Sequence, residues 1–283
     1  MGLGAMSIDE CVRALSRENA DAVAAVERAG PEIAAFVRAV EPGFARGGRL
    51  VYVGAGTSGR LGVLDASEAP PTFCVEHGRI VGIIAGGSPA LVRSSEGLED
   101  EPEGARADLE GLHLTAADSV LGITAGGTTP YVIGALRLAR ELSPGSVTGL
   151  LSCAEVPRPP AADHLIVLAC GPEPLTGSTR MKAGSATKMA LNAISTTLMV
   201  RTGRVYENLM VDVRATNAKL RDRAARIVAE VTGLGREECF SLLDRAGGSA
   251  KAAIVMHARG VDAGGAKSLL DAAGGLLSRV LAP

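Results

Sequence analysis

Tryptophan is absent from this 283-residue chain, and aromatic residues account for only 2% of it. The core must then be built from Ala, Val, Ile and Leu, and stacking platforms for nucleic-acid bases are excluded. No block of like charge occurs either: 29 basic residues face 31 acidic ones, for a formal net charge of −2. That leaves no basic stripe to track a nucleic acid or an anionic membrane. The five cysteines, Cys11, Cys74, Cys153, Cys170 and Cys239, include no C-x-x-C pair, and the four histidines never fall at metal-ligand spacing. A reduced compartment without structural zinc is expected, with no metal and no cofactor. Apolar runs fall short of the roughly 20 residues a membrane span needs. The opening MGLGAMS lacks the basic start of a signal peptide, and Met6 departs from the myristoylation pattern. The expected location is cytoplasmic, with no membrane and no nucleic acid as partner.

What the chain does contain is alternation. From Ser7 to about Val40 the apolar pairs Val12 with Leu15, Val23 with Val26, and Ile33 with Phe36 and Val37 recur at helical spacing, behind a capping-box pattern at Ser7 and Glu10. GFARGG ends that segment. Short β-rich runs then alternate with helical ones: RLVYVGAG, RIVGIIAGG, SVLGITAGG, SVTGLLS and DHLIVLA read as strands. GVLDASE reads as a short helix, 89 to 111 as a polar helical stretch, and PYVIGALRLARELS as a helix. Such alternation predicts an α/β fold, a parallel sheet with helices on both faces. After GPEPLTGSTR a helix is predicted over 180 to 201, with a face of small residues. Beyond it no strand-like run is left, so the C-terminal third is expected to be all helical. These breaks suggest a helical segment over 1–46, an α/β domain over 47–215 and a helical subdomain over 216–283.

Three loops after strands share one character. GAGTSG offers Gly56 and the hydroxyls of Thr57 and Ser58; ITAGGTTPYV offers Gly127, Thr128 and Thr129; LTGSTRMK presents Ser178, Thr179, Arg180 and Lys182. A single G-x-G-x-x-G is weak evidence for a dinucleotide, and the acidic residue expected at the end of the second strand is missing, since RIVGIIAGG ends in Ala85, Gly86 and Gly87. Hydroxyls and backbone amides at helix N-termini suit a phosphomonoester better. A small phosphosugar is the simplest common ligand.

GAGTSGRLGVLDASEAPPTF, EGLED, GGTTPYVIGAL, GPEPLTGSTRMKAGSATKM and NLMVDVRATNAKL resemble, in order and spacing, the N-acetylmuramic acid 6-phosphate etherases. These share a sugar isomerase (SIS) domain with the glucokinase regulatory proteins. The resemblance implies an SIS-type three-layer αβα sandwich with a flavodoxin-like sheet. It also implies a lyase that removes the D-lactyl ether of N-acetylmuramic acid 6-phosphate by elimination and rehydration, with Glu68 as proton donor and Glu99 as base. Glu68 lies among Leu64, Ala66, Ala69, Pro70 and Pro71, where partial desolvation would favour its protonated form. Glu99 lies in an acidic stretch that reads locally as a solvated face.

Two other functions remain open at this level: a non-catalytic sugar-phosphate sensor and an aldose-ketose isomerase. Where many relatives carry A-S-G-[RT]-T-P-Y, this chain has Gly126 at the serine position. The small-residue helix over 180 to 201 and the apolar terminal helices exceed what one sheet face needs. A homodimer with its site near the subunit boundary is therefore expected.

Overall fold

A computed structural model describes residues 2–93, 96–213 and 217–282. By their contacts the residues form two compact units, the first comprising Met1–Glu68 and His77–Ser195, the second Ala69–Glu76 and Thr196–Pro283. The N-terminal helices thus fall in the same unit as the sheet rather than in a segment of their own. The second unit begins inside the long helix, twenty residues before the break expected at 215/216. That break itself lies outside the described residues.

In the first unit, α1 (Ile8–Arg28) starts from the expected capping box, with the Ser7 amide donating to Glu10 Oε2 at 2.8 Å. Then come α2 (Gly30–Ala45), β1 (Leu50–Gly54), α3 (Gly56–Phe73) and β2 (Ile80–Ile84). The polar stretch after β2 is not one helix. It holds single 3-10 turns at Ser88–Leu91 and Glu96–Leu98 and a short α4 (Arg106–Gly111), because Gly97, Pro102 and Gly104 interrupt any longer run. β3 (Ser119–Thr124), α5 (Pro130–Leu142), β4 (Val147–Ser152), β5 (His164–Val167) and α6 (Lys182–Arg201) complete the order.

All five strands pair in parallel in the order β2-β1-β3-β4-β5. Side chains alternate across the sheet, as a period of two requires. Val51, Val53, Val120 and Leu150 share one apolar cluster with Val132 and Leu136 of α5 and Leu109 of α4. On the other face α2 supplies Phe36, whose ring lies against Gly149 and meets His164 edge-on at 5.8 Å between centroids. Gly62 of α3 lies against Tyr52 and Ile123 on that same face. The result is the three-layer αβα sandwich with a flavodoxin-like strand order.

The second unit has its own core of Val211, Val213, Ala224, Val228, Leu242, Leu243, Ile254 and Val255. It carries α7 (Ala218–Thr232), α8 (Arg236–Arg245), α9 (Ala250–Arg259), α10 (Ala263–Ala272) and α11 (Leu277–Leu281). It is not wholly helical: β6 (Val205–Tyr206) and β7 (Leu209–Met210) form a two-residue-loop hairpin. Strands of two residues are too short to show a period-2 pattern in sequence.

Candidate functional site

α3 fixes where Glu68 stands. Its start lies at the carboxyl end of β1, where Gly59 packs on Gly54 and Ile84, and Val63 lies against Gly82 in the middle of β2. The helix therefore runs antiparallel to the strands. From Gly59 to Glu68 it advances about 13 Å, at 1.5 Å per residue, which equals the rise of a five-residue strand. Glu68 is thus level with the amino ends of β1 and β2. Gly62, Asp65 and Ala69 form the buried stripe of α3, while Leu64, Ser67 and Glu68 face outward. Glu68 is exposed, so the desolvation expected for it is not supplied within one chain.

Glu99 lies at the opposite edge. The Tyr131 amide donates to the Glu99 carbonyl at 3.0 Å, tying the acid to the first turn of α5 just past the carboxyl end of β3. The segment that follows is strapped down on α5. Gly134 meets the Pro102 carbonyl so closely that a Cβ there would come within 1.8 Å of its oxygen, so only glycine fits. Gly104 packs on the Tyr131 ring. Glu99 itself is exposed. Within one chain the two carboxylates are not brought together.

The three loops do gather at the carboxyl edge. Residues 125–126 of the second loop and Gly177 and Thr179 of the third line one cavity of about 310 Å³ with Cys153, Cys170, Glu173 and Ala183. The Thr57 methyl of the first loop lies 3.5 Å from where a Cβ on Gly184 would stand, so that loop adjoins the first turn of α6. Gly127 holds φ +80°, and a Cβ there would come within 2.6 Å of Val156. The hydroxyls of Thr57, Ser58 and Thr128 make no intramolecular hydrogen bond among the described residues. Thr129 differs, because its hydroxyl is 2.8 Å from that of Thr124. Ser178 is half-buried, and Thr179 and Arg180 are exposed.

Lys182 corrects an expectation. It is buried, and its ammonium donates to Glu18 Oε2 and Asp21 Oδ2 of α1, each at 2.9 Å. Its charge is spent inside the protein rather than offered to an anion. The N-terminus of α6 is also occupied: Glu173 accepts from the amides of Lys182 and Ala183, each at 2.9 Å. Helix N-termini attract negative charge, and here the chain supplies its own. Nothing in the local sequence signals either partner, since Glu18 is 164 residues away from Lys182.

Cys153 and Cys170 line the cavity but are poor nucleophiles. Burial pushes the Cys153 thiol up to about 12 and raises that of Cys170 as well. A second cavity, of about 490 Å³, lies beside the Glu99 segment and is lined by Gly86, Gly87, Leu98, Glu101, Glu103 and Tyr131. A third opening, of about 660 Å³, lies within the second unit and is lined by α8 and α9 residues such as Glu238 and His257; none of the expected site residues lines it.

Comparison with known proteins agrees with this fold. The profile of the glucokinase regulatory protein N-terminal SIS domain matches residues 32–140. The N-acetylmuramic acid 6-phosphate etherase of Serratia proteamaculans is 50% identical over 284 residues, covering 99% of this chain and 94% of the relative. That of Gloeobacter violaceus is 53% identical over 218 residues, 77% of this chain and 71% of its own. Among solved structures, a candidate phosphosugar isomerase of capsule formation from Bacteroides fragilis superposes with a TM-score of 0.52 at 20% identity, over 71% of this chain and 95% of its own. An Escherichia coli CFT073 protein in complex with A5P gives 0.51 at 13% identity, over 72% and 97%. These two bear on the fold alone.

Proposed function

The chain belongs to the N-acetylmuramic acid 6-phosphate etherase family, and from that premise we propose how its geometry performs the reaction of a carbon-oxygen lyase. Half of all positions identical along 99% of the chain is the observation that carries this reading. The substrate is N-acetylmuramic acid 6-phosphate and the products are N-acetylglucosamine 6-phosphate and D-lactate. Such a step belongs to the recycling of cell-wall amino sugars, in the cytoplasm.

An ether at C3 is a poor substrate for displacement because an alkoxide leaves badly. Ring opening frees the C1 aldehyde, which acidifies the proton on C2. Glu99 takes that proton, the C3–O bond breaks, and Glu68 gives its proton to the departing lactyl oxygen. Water then adds at C3 of the unsaturated aldehyde, its hydroxide to C3 and a proton returning to C2. The two acids must hold opposite protonation states for this to work. Thr57 and Ser58, Thr128, Ser178 and Thr179 hold the 6-phosphate with main-chain amides of the loops. No cofactor enters the scheme.

Glu68 at one sheet edge and Glu99 at the other cannot serve one substrate within one chain. The site is therefore built by a homodimer in which Glu68 of one copy enters the Glu99 edge of the other. Leu64, exposed one turn before Glu68, and Ile8, Val12 and Val23 of α1 offer apolar surface for that contact.

Incubation with N-acetylmuramic acid 6-phosphate tests the reading. Release of D-lactate in stoichiometric amount with N-acetylglucosamine 6-phosphate is expected. Binding without release would instead identify a sugar-phosphate sensor, and ketose formation from a hexose phosphate an isomerase.

A further inference from the structure

Tyr131 is 2% exposed, yet its hydroxyl has no hydrogen-bond partner among the described residues. Its ring is held in place: a Cβ on Gly104 would come within 2.9 Å of it, and Leu109 and Val132 share its apolar cluster. A phenol hydroxyl in such a place is normally paired. This one is not sealed in, and it opens onto the cavity of about 490 Å³ that Tyr131 lines.

Ile84 and Leu98 give that cavity an apolar wall, and Gly86 and Gly87 give it one without side chains. Glu101, Glu103 and Asp108 add carboxylates. Glu103 is paired with Arg106 and Arg137, whereas Glu101 and Asp108 have no ion pair among the described residues. Asp108 acts on the Tyr131 phenol through its charge, with no direct hydrogen bond between them. Burial first and that charge second push the phenol up to about 12, so it carries a proton to donate at neutral pH. One donor, carboxylate acceptors and a small apolar wall thus meet in one place. Such a set repels a phosphate or a lactyl carboxylate and suits a neutral amide.

The cavity also stands where the substrate would bring such a group. Ile84 to Gly87 follow β2 and Tyr131 opens α5 after β3, so the cavity lies over the end of β1, the strand between them. The loop cavity, lined by residues that follow β3, β4 and β5, lies over β4. Two strand spacings separate the two, about 10 Å. An open hexose chain reaches that far from its C2 substituent to its 6-phosphate. The Tyr131 amide holds the Glu99 carbonyl at 3.0 Å, so the cavity adjoins the base proposed for the C2 proton.

We propose that this cavity is the subsite for the acetamido group on C2 and that Tyr131 determines specificity for it. The Tyr131 hydroxyl donates to the acetyl carbonyl, the amide N–H donates to Asp108, and the methyl group lies on Ile84 and Leu98. The inference takes its substrate from the etherase reading.

Equilibrium binding of two sugar phosphates to the whole chain tests it. N-acetylglucosamine 6-phosphate carries the acetamido group, and glucose 6-phosphate has a hydroxyl in its place. The wild-type protein should bind the first at least about tenfold more tightly. Tyr131→Phe keeps the ring on Gly104 and should weaken the first about tenfold while leaving the second within about twofold. Asp108→Ala, at an exposed position of α4, should show the same selective loss and gives the answer if Tyr131→Phe does not fold. Equal weakening of both sugars, no weakening of either, or no preference by the wild-type protein overturns the proposal. D-lactate release from N-acetylmuramic acid 6-phosphate is measured in parallel. If the wild-type protein releases it and both variants bind as before, only the subsite fails. If it releases none and the selective loss is still seen, the etherase reading fails and the acetamido subsite stands.

Discussion

The amide of Tyr131 donates to the carbonyl of Glu99 at 3.0 Å. This bond anchors an otherwise exposed acidic segment to the N-terminal turn of α5. Catalytic groups work only when held within a fraction of an ångström of the reacting atoms, and for the base proposed at Glu99 this main-chain bond would supply part of that hold. Among the described residues the Glu99 side chain makes no hydrogen bond or ion pair.

The opposed positions of Glu68 and Glu99 predict complementation. Glu68→Gln and Glu99→Gln should each lose at least about a hundredfold in kcat with unchanged melting, as removal of a general acid or base does. Mixing the two inactive proteins after dissociation should restore about one quarter of normal activity. Half of the reassorted dimers are then mixed, and each holds one intact site of two. No recovery on mixing would place both acids in one chain.

Lys182 predicts a stability effect rather than a binding effect. Lys182→Met removes a buried cation and leaves Glu18 and Asp21 facing apolar surface. The expected loss is about 2–3 kcal/mol, below the full cost of breaking a buried pair because Asp21 is 60% exposed. KM for the phosphosugar should stay within about twofold. Unchanged melting with a tenfold rise in KM would return this residue to the substrate.

Asp118 predicts a pH dependence of stability. Burial pushes its carboxyl up, but the Arg49 side chain and the amides of Thr115 and Arg49 outweigh that and hold it at about 2. A carboxylate depressed on folding adds stability that is complete above its unfolded value near 4 and disappears as pH falls through about 2. With Arg49 a quarter exposed, the contribution is about 1–2 kcal/mol. Asp118→Asn should lower the urea midpoint at pH 7, with roughly half of the difference gone by pH 3. An equal difference at both pH values would remove Asp118 as its source.

Gly126 predicts a gain. It lines the cavity shared by the second and third loops, and a Cβ there meets no atom within 4 Å. Gly126→Ser should therefore fold normally and place one more hydroxyl donor beside the phosphate. A charge-assisted hydrogen bond of about 1.5–3 kcal/mol corresponds to at least a roughly tenfold lower KM. An unaltered KM would put the phosphate elsewhere.

Local pattern made much of this protein legible. The capping box at Ser7, the five apolar runs that became β1 to β5, and the hydroxyl-bearing turns at 56–58 and 127–129 are each written within a few residues. Backbone period and turn chemistry act at that range. The β6-β7 hairpin escaped because two-residue strands carry no period. The helix expected over 89 to 111 failed because charged residues mark a solvated surface whether or not it is helical.

The sequence by itself determined the layered α/β architecture and the hydroxyl-bearing turns that follow its strands, because those follow from short-range periodicity and residue chemistry; Glu68 and Glu99 were singled out by family resemblance, not by local pattern. Only the tertiary structure decided which charges are already spent and which groups share an edge. Lys182 is claimed by a helix over 160 residues away, Glu173 fills the helix N-terminus next to it, and α3 carries Glu68 to the far side of the sheet from Glu99. Those outcomes depend on how helices lie across a sheet, and no run of neighbouring residues encodes that.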